Sequence, residues 1–114
     1  MQRMRQAIIK YNHIKAGILT EDDNGEYIFE YDQQYVKNYP KQFITFNMPV
    51  SATPYKSKRL FSFFDGLIPE GWLLNIAAES WRIKKNDRMG LLLACCQNAI
   101  GAVSVHRTNA SNHG

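Results

Sequence analysis

The chain has 114 residues, the size of one domain, and that length can bury a single core without metals or crosslinks. Hydrophobic residues make up 45% and charged residues 21%, which excludes a disordered, collagen-like or coiled-coil chain. The net charge of +4 permits an anionic partner without requiring one. The longest apolar run, Leu91 to Cys96, is far short of the ~20 residues of a membrane span. The basic start at Met1–Arg5 is followed only by Ala7-Ile8-Ile9 before Lys10, so no secretory signal is expected. The two cysteines, Cys95 and Cys96, are adjacent and lack zinc-ligand spacing, and the expected compartment is the cytoplasm.

The first third predicts an antiparallel meander over residues 5–31. Ala7, Ile9 and Tyr11 alternate with Ile8 and Lys10, and Asn12-His13 marks a tight hairpin. Ile14, Ala16 and Ile18 resume the alternation. Asp22-Asp23-Asn24-Gly25 predicts a second turn, of type I′ at Asn-Gly. Tyr27, Phe29 and Tyr31 then share a face suited to a core. Asp32-Gln33-Gln34-Tyr35 reads as a short turn. Phe43 to Met48 reads as a fourth strand with Ile44, Phe46 and Met48 on one side, ended by Pro49. Residues 50–59 have loop composition and end in the cations Lys56, Lys58 and Arg59.

The remainder predicts helices. Leu60 to Phe64 suits one helical turn. Pro69-Glu70 suits the start of a helix running to about residue 84, since proline loses no bond there and Glu70 complements the helix dipole. Leu73, Ile76, Ala77 and Trp81 form its apolar side, and Asn75, Glu79 and Arg82 its polar side. Asn86 or Asp87 caps a further helix through about Cys96. Ala102 to His106 reads as a closing strand, and residues 108–114 as a flexible polar tail after a single domain over 1–107. The expected fold is α+β: a small curled antiparallel sheet or partly open barrel of about five strands, with two C-terminal helices before the closing strand.

Catalytic groupings do not emerge from the residues. His13, His106 and His113 are scattered, and Asp22-Asp23 is read as a solvated turn. Cys95-Cys96 follow a leucine run and are read as inert thiols. No phosphate-binding glycine loop and no nucleophile elbow occurs. No enzyme activity, cofactor or metal is therefore expected. The cations Lys56, Lys58 and Arg59, and Arg82, Lys84, Lys85 and Arg88, would make a nucleic-acid surface only if both groups shared a face with exposed aromatics. Autonomous nucleic-acid binding and membrane binding are not expected. Trp72 follows Pro69-Glu70-Gly71 at the border of an apolar helix face. It either packs on the Phe61–Phe64 turn or anchors in a partner's pocket, where a rigid aromatic loses little freedom.

Several segments, in order, resemble the amino-terminal lobe of HipA-type toxin kinases. They are Gly17-Ile18-Leu19, Phe29-Glu30-Tyr31-Asp32-Gln33-Gln34-Tyr35, the expected strand ending at Pro49, Phe64-Asp65-Gly66-Leu67-Ile68-Pro69-Glu70-Gly71, and Gly101-Ala102-Val103. Departures are Gly66 where the family commonly has Asn, Ile68 for Leu, Asn47-Met48 for Ser-Leu, and no acidic residue just before Gly101. In full-length HipA this lobe precedes a kinase core that carries the nucleotide and metal residues, so no catalytic residue carries over. A separate lobe resembles the three-gene HipBST arrangement, in which the small HipS protein is antitoxin to the kinase HipT and HipB is a helix-turn-helix DNA-binding protein. The resemblance implies an antitoxin that docks on a HipT-like Ser/Thr kinase as its missing lobe, with a HipB-like protein as a further partner in a ternary complex. Partner contacts are expected at Trp72, Glu70, Gly71, Pro69, Asp65 and Phe64. The alternative is a structural subunit that stabilises the kinase, or links it to the repressor, without inhibiting it.

Overall fold

The computed structural model describes residues 4–68, 75, 78–80, 82–84, 86–95 and 102–108. Among these, strands β1 (Arg5–Tyr11), β2 (Ile14–Glu21), β3 (Tyr27–Tyr31), β4 (Tyr55–Ser57) and β5 (Val103–Arg107) form one open sheet in the order β4-β3-β2-β1-β5. Every pairing is antiparallel. Helices α1 (Gln33–Asn38), α2 (Ser62–Asp65) and α3 (Arg88–Cys95) accompany it. The α+β expectation holds, with the closing strand shifted by one residue.

The meander forms for the reasons its pattern suggests. Asn12 and His13 both take positive φ, 52° and 70°, so the β1–β2 turn is the mirror-image type that matches strand twist. The second turn differs from expectation. Only Gly25 takes positive φ (83°), its N–H donates to the Asp22 carbonyl, and Asp22 N–H donates to the Glu26 carbonyl. Asp22 favours this geometry because its carboxylate accepts from the amides of both Asn24 and Glu26 at 2.9 Å. The alternation expected over Ile14–Ile18 is broken by a bulge. Ile9 faces Gly17 but Lys10 faces Lys15, which leaves Ala16 as the extra residue. Leu19 rather than Ile18 therefore enters the core, and Ile14 is exposed.

The inner sheet face carries Ala7, Ile9, Leu19, Tyr27, Phe29, Tyr31, Val103 and Val105, all buried, against Phe64 of α2 and Met89, Leu91 and Leu92 of α3. Phe29 lies at the centre, 4.8 Å from the Tyr31 ring and 5.7 Å from the Phe64 ring. Each buried Val, Leu, Ile, Phe or Met among these stabilises the fold by roughly 1.5–3 kcal/mol. Gly17 makes room for this packing: a Cβ there would lie 2.4 Å from the Glu30 carbonyl oxygen and 2.8 Å from the Phe29 ring.

Two strand assignments change. Residues 43–48 are not a strand. Ile44 and Met48 are buried, but Phe46 is 80% exposed, and Met48 N–H closes a turn onto the Thr45 carbonyl. Tyrosine hydroxyls replace a ladder here: Tyr31 accepts from the Ile44 amide at 3.1 Å and donates to the Met48 carbonyl at 2.5 Å, while Tyr35 donates to the Gln42 carbonyl at 2.6 Å. The fourth strand is instead β4, inside the segment expected to be a loop, paired with β3 from Tyr27↔Ser57 to Phe29↔Tyr55. The turn expected at Asp32–Tyr35 opens a helix, because the Asp32 carboxylate caps the amides of Gln34 and Tyr35.

In the helical part, Asn75 and residues 78–80 are helical, and Arg82 ends the helix earlier than expected. Arg82 has φ 55°; its N–H donates to Glu79 and the Ile83 N–H to Ala78, the paired bonds of a Schellman cap. Asn75, Glu79 and Arg82 are exposed as expected. Leu73, Ile76, Ala77 and Trp81 lie outside the described residues. Asp87 caps α3, its carboxylate accepting from the Gly90 amide at 3.1 Å.

Candidate partner-binding site

The expected contact element starts at α2. Phe61 takes an extended backbone (φ −56°, ψ 140°), and the chain then turns once through Ser62–Asp65. Phe64 points inward and is fully buried, ringed edge-on by Phe61 at 6.3 Å and Phe63 at 5.3 Å. It holds the element to the sheet from beneath rather than offering a surface. Ile68, the last described residue before the Pro-Glu-Gly-Trp corner, is also buried. Asp65 is turned toward α3, where its carboxylate accepts from the Arg88 guanidinium at 2.6 Å. Pro69, Glu70, Gly71 and Trp72 lie outside the described residues. The structure thus brings together Phe64, Asp65 and Arg88, a pairing across 23 positions that no spacing in the sequence announces.

Two open depressions flank α2. The first, about 640 Å³, is lined among others by Tyr27, Lys58, Arg59, Ser62, Asp65 and Arg88. The second, about 450 Å³, is lined among others by Met48, Tyr55, Lys56, Phe61, Ser62 and Phe63. Behind the first lies a charge network. Arg5 donates through both terminal nitrogens to Asp87, at 2.8 and 3.1 Å, and through Nε to Glu21 at 2.7 Å. The Tyr27 hydroxyl donates to the same Glu21 at 3.0 Å. Arg5 holds the Asp87 carboxyl below its ordinary range, helped by the Gly90 amide and against the effect of burial. Burial, with the Glu21 bond second, pushes Tyr27 up to about 12. Burial likewise takes Tyr31 to about 12.

The other residues singled out from the sequence sit apart from this region. Asp22 serves the turn. On β5, Ser104 Oγ and His106 Nε2 are 2.8 Å apart. Burial first, then Lys10 and His13, lowers the His106 pKa. His113 and Cys96 lie outside the described residues. Among the described residues no group of three His, Cys, Asp or Glu is placed to hold a metal ion. None of the described helices is long and apolar enough to cross a membrane. Of the two cationic groups, Lys58 and Arg59 meet Arg88 at one cleft.

Comparison with known proteins agrees with this architecture. A search of solved structures finds the N-terminal domain of HipA toxin at a TM-score of 0.69 and 28% identity, covering 91% of this chain and 92% of that one. A protein of Haemophilus influenzae, described only as uncharacterized, is 35% identical over 89 residues, spanning 78% of this chain and 79% of its own length. The family described as HipA N-terminal domain matches residues 7–106, from the first buried position of β1 to the penultimate residue of β5. With sequence match and sheet coinciding over that span, the chain belongs to the HipA N-terminal domain family.

Proposed function

We propose that this chain is an antitoxin that binds a HipT-like Ser/Thr kinase toxin and neutralises it by docking as the amino-terminal lobe. The observation that carries this reading is the end-to-end likeness to a domain of a toxin, 91% of one chain against 92% of the other. A lobe made separately from its parent leaves complementary apolar surface on both pieces, and re-docking buries it. The inhibitory element in this reading is the Pro69-Glu70-Gly71-Trp72 segment, with Trp72 filling a pocket near the kinase's nucleotide site. Glu70 or Asp65 meets kinase cations, Asp65 by sharing its bond to Arg88. The chain performs no reaction of its own, and the encounter takes place in the cytoplasm. A HipB-like helix-turn-helix protein joins the pair in a DNA-bound ternary complex.

The test is kinase autophosphorylation with and without the purified chain, beside growth rescue on co-expression. Autophosphorylation is expected to fall on addition, and growth to recover. Trp72→Ala is expected to lose rescue while expressing normally, since a central tryptophan anchor is worth ~2–4 kcal/mol, roughly 30- to 1,000-fold in affinity. Full rescue by that variant removes Trp72 from the mechanism. Binding with unchanged kinase activity replaces inhibition by the scaffolding role.

A further inference from the structure

The two depressions beside α2 share Ser62, which is exposed, and so form one continuous surface. Phe61 and Phe63, half-buried and pinned edge-on to Phe64, make part of its apolar floor. Thr45 and Asn47 stand in its wall, and between them in the chain Phe46 is held 80% exposed, its ring 6.1 Å from that of Phe43. A phenylalanine so exposed leaves most of its apolar surface in water in the free molecule, surface that a partner could bury.

The charge around this floor is one-sided. Arg5 and Arg88 are neutralised by Glu21, Asp87 and Asp65. Lys56, Lys58 and Arg59 line the same surface, are exposed, and have no carboxylate within 4.0 Å among the described residues. We propose that this face is itself a docking surface for the kinase, taking an apolar side chain flanked by Asp or Glu carboxylates. The inference rests on the reading of the chain as a kinase-binding antitoxin. Charge complementarity selects the acidic segment, and the aromatic floor selects its apolar residue. A nucleic acid fits less well, because bases need ring faces free to stack. Here the floor rings are packed against the core.

Titration calorimetry of the purified chain against the purified kinase decides the matter, with Phe46→Ala and Lys58→Glu/Arg59→Glu beside the parent. All three positions are exposed, so each variant is expected to keep the parent's thermal midpoint. Each is expected to bind about tenfold or more weaker. The charge-reversed variant is also expected to lose most of the parent's salt dependence. Parent-like binding by both variants overturns this docking surface while leaving the antitoxin reading intact. No binding by the parent chain overturns both. A mobility shift of an oligonucleotide by the parent that the variants lose, with kinase binding unchanged, reassigns the face to nucleic acid.

Discussion

Arg82 occupies a position where glycine is the usual choice. Its φ of 55° closes the helix before α3, and a Cβ in that region carries a steric cost that glycine avoids. The arginine stands there without an ion-pair partner among the described residues. Arg82→Gly is therefore expected to stabilise the chain by about 0.5–1 kcal/mol, because relief of left-handed strain exceeds the extra freedom glycine gives the unfolded state. Thermal unfolding followed by circular dichroism should show a midpoint raised by a few degrees. An unchanged or lower midpoint would mean that the guanidinium contributes more than the backbone costs.

Among the elements, the segment 40–50 depends most on single groups, because it lacks strand pairing. Its buried ends, Ile44 and Met48, are both tied to the Tyr31 hydroxyl. Tyr31→Phe leaves the Ile44 amide and the Met48 carbonyl without that partner, at an expected cost of about 1–3 kcal/mol. Hydrogen exchange should show the Ile44 amide losing protection first while the β1–β2 amides stay protected; uniform loss would place the effect in the global fold instead. The same segment shows where sequence reasoning reaches its limit. Ile44, Phe46 and Met48 satisfy a period of two, but a tight turn also buries the first and last and ejects the middle. Only the distant tyrosines decide between these. β4 was equally hidden, being three residues long, ending beside cations and paired along one edge alone. α1 is too short for helical periodicity to register, although its cap Asp32 was visible. The meander, by contrast, was legible because alternation and turn positions agreed, although the bulge at Ala16 and the form of the Asp22–Gly25 turn were not. Of the candidate site, the sequence pointed to Phe64 and Asp65, which the structure describes, and to Pro69–Trp72, which lie outside the described residues; the Asp65–Arg88 bond and the union of Lys58 and Arg59 with Arg88 exist only once the chain folds.

At the scale of the molecule, Arg5 joins parts of the chain 82 positions apart. Asp87, its partner, also caps α3, so one carboxylate serves both the sheet and the helix. Since the folded state holds that carboxyl below its ordinary value, the stability it contributes is present above the unfolded pKa of about 3.9. That contribution is lost as pH falls from there through the lower folded value. Asp87→Asn keeps the cap but not the ion pair. It should be less stable than the parent at neutral pH by about 0.5–1 kcal/mol, the pair being one-third exposed, and should unfold with a shallower dependence on acid below about pH 4. Parallel acid curves for the two proteins would show that the pair adds nothing. The sheet order has a bearing on biosynthesis as well. β1 is flanked by β2 and β5, so the strand made first stays open along one flank until nearly the last described residues have left the ribosome. A stalled or clipped product ending short of Val103 would present Ala7 and Ile9 beside unpaired backbone amides. Such fragments are expected to aggregate through β1, while a chain with β5 in place has that route sealed.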